Sequence, residues 1–201
     1  SLEQSTCRQG TGQLTSPWLK LTPFEFFFQS SEESTDLTLH HIKEIGGTIS
    51  LRATQQEEQW LLKLNAHDLN ALPFAPFFNR HGVGLNSGTV SLSAEVSFNL
   101  ADTELESGPE LTELRLMVSI EDATIQTEDG RYASEALESV LTVNVSPQDQ
   151  QWHWDASIRF SSGELYVEPV YIESPELPIT FNAKGLWEQG DKAIELTDVS
   201  F

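Results

Sequence analysis

The side chains that could perform acid–base or metal chemistry are scattered along the 201-residue chain. His40 and His41 are adjacent, so on a strand they point to opposite faces and cannot hold one metal ion together. The single cysteine, Cys7, excludes an internal disulfide and a zinc site built from several thiolates. The sequence has no nucleophile-elbow, phosphate-loop or dinucleotide-binding motif. We therefore expect no catalytic residue, no metal site and no cofactor.

Carboxylates are the most abundant side chains that could take part in catalysis or bind calcium. Because they are so abundant, the presence of any two of them does not indicate a catalytic pair. The chain has 31 acidic and 11 basic residues, a formal net charge of −20. A pair of catalytic carboxylates of the glycosidase type therefore remains an alternative, and it is the least favoured one. The residue spacing of an EF-hand calcium loop is absent. Nucleic-acid binding rests on clustered Lys and Arg, so the charge balance excludes that class of function.

Period-two alternation of apolar and polar residues is the dominant pattern. Val90, Leu92, Val96 and Phe98 alternate with polar residues in a typical run, and such runs recur along the chain between turn-type residues. This pattern predicts ten to twelve antiparallel strands with one apolar face. We expect an all-β fold: an elongated, curved antiparallel sheet, described as a half-barrel or groove, with one short capping helix.

Two segments depart from the alternation. The stretch 67–78 contains Pro73 and Pro76 and predicts a short helix or 3₁₀ turn at one end of the sheet. A second helical turn is predicted over Tyr132–Leu137. We treat residues 1–201 as one β-repeat domain, excised from a longer protein, with 101–109 as the candidate internal boundary or hairpin loop.

Strand openings repeat along the chain. The seven residues from Gly47 match those from Gly88, and Ser162-Gly163 opens a looser third copy, which suggests stacked β units. The passages 64–78 and 85–92, with 162–171, 183–187 and 194–199, resemble repeats of the AsmA-like family of periplasmic bridge-like β-repeat proteins. The resembling passages lie within residues 64–199, a span of about two-thirds of the chain, and residues 1–45 carry no resemblance.

The resemblance implies a function in the cell envelope of a Gram-negative bacterium. Members are anchored in the inner membrane, extend into the periplasm and present a hydrophobic β-groove for phospholipid transport or outer-membrane biogenesis. It implies no catalytic residues, and lipid acyl chains as partners, with membrane contact through regions outside this chain. The residues we expect to face lipid are Val90, Leu92, Val96, Phe98, Leu116, Val118, Trp154, Ile158 and Phe160.

Two alternatives stay open from the residues alone. The apolar faces of two sheets could bury one another in an extracellular β-sandwich, which would bind carbohydrate or a protein through exposed aromatics such as Trp60 or Trp187. If the sheet is open, its unpaired edges could also associate with a second copy of the chain.

Overall fold

The computed structural model describes residues 6–12, 24–40, 42, 45–57, 59–99, 110–148, 151–173, 176–188 and 194–200. Twelve strands form one sheet, and a 3₁₀ helix (Leu72–Phe74) and helix α1 (Ala75–Asn79) follow the fifth strand. The strands are β1 (Thr6–Gly12), β2 (Phe24–Ser30), β3 (Ser34–His40), β4 (Thr48–Gln56), β5 (Gln59–Asn70), β6 (Val83–Asn99), β7 (Glu110–Thr127), β8 (Tyr132–Gln148), β9 (Gln151–Val167), β10 (Val170–Ile172), β11 (Ile179–Glu188) and β12 (Ile194–Ser200).

Each strand lies beside its neighbour in sequence, and every pairing is antiparallel. Only β10 leaves this order, since it pairs with the last residues of β9 while β11 pairs with the first part of the same strand. The sheet is not closed, and β1 and β12 lie at its two edges. The predicted fold class is therefore confirmed, including the strand number and the short helix. The described strands do not form the two separate sheets that a β-sandwich requires.

The register brings the apolar residues of successive strands onto one face, which we call the apolar face. Antiparallel partners point to the same side of a sheet, so a row of partners can be followed from strand to strand. One such row crosses from β3 to β12 without meeting a polar side chain: Leu37, Leu51, Leu64, Ala94, Leu116, Val143, Ala156, Ala183 and Val199.

The adjacent row of partners, on the opposite or polar face, is almost entirely charged. Positive and negative residues balance in this charged row, although the whole chain carries −20. Lys63 Nζ lies 2.7 Å from Glu95 Oε2, Arg52 pairs with Asp36, and the Asn144 amide donates to Asp155 at 2.9 Å. The row consists of Asp36, Arg52, Lys63, Glu95, Arg115, Asn144, Asp155, Lys184 and Asp198.

A line of β-bulges crosses the five central strands, β5 to β9, at one level. Asp68, Asp122 and Ala136 have positive φ there, as do Gly88 and Gly163 on neighbouring strands. The pairing register shifts at this level in each of the four strand pairs from β5–β6 to β8–β9. A bulge bends its strand, so bulges in neighbouring strands bend the whole sheet along one line.

Serine side chains satisfy the backbone groups that the bulges release from the ladder. Ser91 Oγ accepts from the Asp68 N–H at 3.1 Å, and Ser87 Oγ donates to the Asp122 carbonyl at 2.9 Å. Backbone polar groups need such partners wherever the sheet ladder is interrupted. Ser87 precedes the bulge glycine Gly88, so this Ser-Gly pair serves the bulge rather than merely opening a strand.

The helical segment and the β3–β4 connection cover one part of the apolar face. Ile42 and Ile45 are each 1% exposed and pack with Ala66 and Leu69 of β5 in a small core, against which Phe74 also packs. Elsewhere few apolar residues are fully buried: Ala71, Ala123 and Phe160 are the remaining ones among the described residues.

The predicted second helical turn is wrong, and the predicted internal boundary lies outside the described residues. Tyr132–Leu137 begins strand β8 rather than a helical turn, and its Ala136 is a bulge residue with φ of 47°. The bulge breaks the alternation, which produced the false helical pattern. The stretch 101–109 lies outside the described residues, although β6 and β7 pair with each other on either side of it.

Replacing Gly163 with alanine should destabilise the fold strongly. A Cβ at this position would lie 2.3 Å from the carbonyl oxygen of Ala136, and the backbone φ is +99°. We expect Gly163→Ala to lower the free energy of unfolding by about 3 kcal/mol or more. The matched control is Gly130→Ala, which has φ of +69° but no atom within 4 Å of the added Cβ. It should cost about 1 kcal/mol. Urea unfolding measures both, and equal losses would contradict a rigid bulge line.

A hydrogen bond to Glu164 holds the proton of Tyr171 on β10. With smaller contributions from burial and nearby carboxylates, it raises the pKa of Tyr171 from 10.0 to about 12. The folded chain thus keeps this proton to higher pH than the unfolded chain. The resulting stability is complete below pH 10 and is lost between pH 10 and about 12.

Ultraviolet titration of the phenol, taken as the difference from Tyr171→Phe, should show this shift. Glu164→Gln should return the pKa of Tyr171 towards its ordinary value, because the charged acceptor is gone. Tyr132→Phe is the control and should leave the difference titration unchanged. A Tyr171 that titrates near its ordinary pKa in the native chain would show that the contact does not form in solution.

Candidate functional site

The residues predicted to face lipid all lie on the apolar face. Leu92 pairs with Val118, Val118 with Leu141, and Leu141 with Ile158, so one row joins β6, β7, β8 and β9. The same pairings place Val90, Val96, Phe98, Leu116, Trp154 and Phe160 in neighbouring rows of that face. Their exposure differs widely, from 4% for Phe160 to 48% for Ile158.

Much of the apolar face is uncovered by other parts of the described chain. Ile158, Phe181 and Leu196 on β9, β11 and β12 are 48%, 45% and 57% exposed. Scattered apolar residues are normal on protein surfaces, but a contiguous apolar face of this extent marks a binding surface or an interface.

The first of two cavities on this face lies at the bulge line, and we call it the capped cavity. Its volume is about 450 Å³, and the helical segment closes it with Phe74, Phe77 and Phe78. Val90 lies on one side of the bulge line and Leu85 on the other, yet both line the cavity. The sheet therefore curves around the cavity, as the bulges require.

The second cavity, the tryptophan cavity, lies near the opposite ends of β7, β8, β9 and β11. Its volume is about 460 Å³. Residues from four neighbouring strands line one concavity, which again requires the apolar face to curve inwards. The ring centroids of Trp152 and Trp187 are 6.4 Å apart with a 34° tilt. The full lining is Leu111, Leu114, Val143, Val145, Trp152, Trp154 and Trp187.

No polar atom faces either cavity, because even the indole Nε1 atom of Trp154 is buried. Every residue that lines the capped cavity is aliphatic or phenylalanine. The charged row crosses the same central strands on the other face. A site of this composition binds an aliphatic or aromatic group, because it offers nothing to orient a hydroxyl-rich ligand such as a sugar.

One polar atom beside the tryptophan cavity lacks a partner. The Nε1 atom of Trp154 is buried and makes no hydrogen bond, and the same holds for Trp60 Nε1 on β5. Buried indole N–H groups normally have acceptors, so each unsatisfied donor needs an explanation. Trp154 packs closely over Gly185 of β11, where a Cβ would lie 2.6 Å from the ring.

The structure adds residues to the candidate site that the sequence did not single out. Phe77, Phe78 and Trp152 line cavities although they were not among the residues expected to face lipid. Two features of the sequence could have identified them. The alternation breaks at 72–79, where the phenylalanines lie, and two tryptophans lie close together on β9. Trp187, which the alternative reading assigned to an exposed sugar-binding surface, also lies on the apolar face as the partner of Trp152.

The described part of the chain has neither a metal-binding cluster nor a membrane-spanning helix. It contains no group of three or more His, Cys, Asp or Glu side chains placed to bind a metal ion. None of its helices has the length and hydropathy needed to cross a bilayer.

Comparisons with protein-family models, with curated proteins and with solved structures found no match to this chain. The apolar face and its two cavities are therefore the structural features that bear on function.

Proposed function

We propose that this chain is a segment of a cell-envelope protein that carries phospholipid acyl chains on its apolar face. Its role would be lipid transport between membranes or outer-membrane biogenesis. The AsmA-like resemblance supports a periplasmic location, with the parent protein anchored in the inner membrane of a Gram-negative bacterium through regions outside this chain. A carrier of this kind needs no catalytic residue, metal ion or cofactor, so we propose no enzymatic activity.

The observation that carries the proposal is a continuous apolar face, curved around two apolar cavities, most of which has no second layer over it in the described chain. Contact with water is unfavourable for this surface. An acyl chain laid on it gains about 0.8 kcal/mol for each methylene group removed from water. The acyl chain needs no hydrogen bond from the protein, and the lining of the two cavities offers none.

The charge distribution supports a ligand held by its apolar part. Most basic residues on the sheet belong to the charged row on the opposite face. Arg52 and Lys63 of that row already pair with carboxylates. No basic side chain lines either cavity. The site therefore has no means of gripping an anionic headgroup, so acyl chains must supply the binding free energy.

Carbohydrate binding is the second candidate function, and one observation favours it. Trp187 is 40% exposed, as a ring that stacks on a sugar would be. Sugar recognition also requires polar side chains around the aromatic platform, and the tryptophan cavity has none apart from the indoles. Lipid binding is the better supported of the two.

A charge on the apolar face should abolish lipid binding while a charge on the polar face should not. We expect Ile158→Asp to lose phospholipid that co-purifies with the chain from bacteria, and to lose transfer between donor and acceptor vesicles. Ile158 is 48% exposed, so aspartate there can remain hydrated in the empty protein and the chain should still fold. Ser157→Asp, one residue away on the polar face, is the matched control.

Native mass spectrometry and a fluorescent-lipid transfer assay measure both variants, and far-ultraviolet circular dichroism checks folding. Val96→Asp on β6 repeats the test at a second position. Binding and transfer that survive in both apolar-face variants would overturn the proposal. Unfolding of both would show that the apolar face is a closed core, which also overturns it.

A further inference from the structure

The two ends of the central strands differ in composition. At one end, which we call the far end, strands β5 to β9 begin or end on polar residues: Gln59, Asn99, Glu110, Gln148 and Gln151. The other end carries helix α1, and we call it the helix end. Large apolar side chains are exposed there and form what we call the apolar rim: Phe77, Phe78, Tyr132, Val167 and Val170. The helix end is therefore the more apolar of the two.

The rim residues of β8, β9 and β10 lie on the apolar face. Ile125 lines the capped cavity and pairs with Ser134, so Tyr132, two residues before Ser134, points to the same side of the sheet. Tyr132 pairs with Val167, and Val167 pairs with Val170. The apolar face therefore continues past the bulge line to the helix end.

Helix α1 carries the rest of the rim. Phe77 and Phe78 line the capped cavity, yet they remain 49% and 39% exposed. No polar atom lines that cavity. The rim and the capped cavity thus adjoin through these two phenyl rings, so a hydrocarbon chain can pass from the rim into the cavity along apolar side chains.

The charges beside the rim are largely paired. Arg131 Nε lies 3.5 Å from Asp129 Oδ2 and 3.4 Å from Glu168 Oε2, in the two turns that flank Tyr132 and Val167. The whole chain carries −20, so an anionic surface repels it. A surface that binds the rim must therefore be apolar beneath and carry no net charge. Tyrosine and phenylalanine side chains suit the boundary between a bilayer and water.

We propose that the apolar rim docks on the surface of a zwitterionic phospholipid bilayer, and that acyl chains pass between this bilayer and the apolar face at the helix end. The proposal rests on the lipid-carrying function proposed above. It adds a membrane contact that this chain makes itself, besides any anchor in regions outside it.

The composition of the two ends favours a bilayer over a second copy of the chain. A copy stacked end to end would place the rim against the polar residues of the far end. A bilayer can bury side chains that project from a helix and two turns without needing a matching rigid surface. The bilayer also supplies the acyl chains that the adjoining cavity accepts.

Two substitutions test the rim without altering either cavity. Tyr132 and Val170 are more than half exposed and line neither cavity, so Tyr132→Glu and Val170→Glu should fold and should load phosphatidylcholine normally when it is diluted from detergent. We expect several-fold less flotation of both variants with phosphatidylcholine vesicles and several-fold slower extraction of fluorescent lipid from them. Met117→Glu, at a half-exposed apolar residue on the polar face, is the matched control and should change neither.

Flotation and extraction at the native level in both rim variants would overturn the docking but leave lipid carrying intact. A native chain that takes up no lipid even from detergent would overturn lipid carrying itself, and this proposal with it. A native chain that elutes as a dimer and does not float would assign the rim to a second copy instead, which also overturns the docking. Far-ultraviolet circular dichroism checks folding, and if both variants unfold the native chain still answers through a fluorophore.

An environment-sensitive fluorophore locates the contact on the molecule. The single native cysteine is removed by Cys7→Ser, and nitrobenzoxadiazole is attached after either Val170→Cys at the helix end or Gln148→Cys at the far end. Its emission rises when it leaves water. We expect a several-fold rise with phosphatidylcholine vesicles for Val170→Cys only, and a smaller rise as phosphatidylglycerol replaces phosphatidylcholine. A rise at both positions, or at neither, would overturn docking through the helix end.

Discussion

The structure depends on keeping one antiparallel register across the whole sheet. In every strand from β3 to β12 except β10, a residue of the apolar row is the sequence neighbour of a residue of the charged row. A slip of one residue between two strands would move a charged side chain onto the apolar face. Register is therefore strongly specified, and the curved apolar face exists only because no strand slips.

The charged row on the polar face also favours the correct register. Cross-strand contacts such as Lys63–Glu95 are exposed, so each contributes about 0–1 kcal/mol to stability. Their larger effect is on specificity, because a shifted strand would place like charges opposite each other or lose its partner. Concentrating basic residues in a balanced row also leaves the excess negative charge of the chain for its other surfaces.

The strands and the apolar face could be predicted because period-two alternation is a local property of the sequence. The helical segment was predictable from Pro73 and Pro76, which exclude a strand there. The charged row was not predictable, since it appears only when the register of neighbouring strands is known, and bulges shift that register. Ala136 illustrates the same limit: a positive φ at one residue interrupts the alternation and resembles a helical turn. The cavities depend on curvature, which the bulges at Asp68, Asp122 and Ala136 create jointly.

A curved open sheet of this kind has a small core, so much of its apolar face stays in contact with water. The packed residues around Ile42 and Ile45 anchor one side only, while Ile158, Phe181 and Leu196 remain exposed. Under the proposed function, a lipid on the apolar face would bind the folded sheet and not the unfolded chain, so it would stabilise the fold by mass action. The surface that weakens the empty protein would then supply the free energy that holds the loaded protein together.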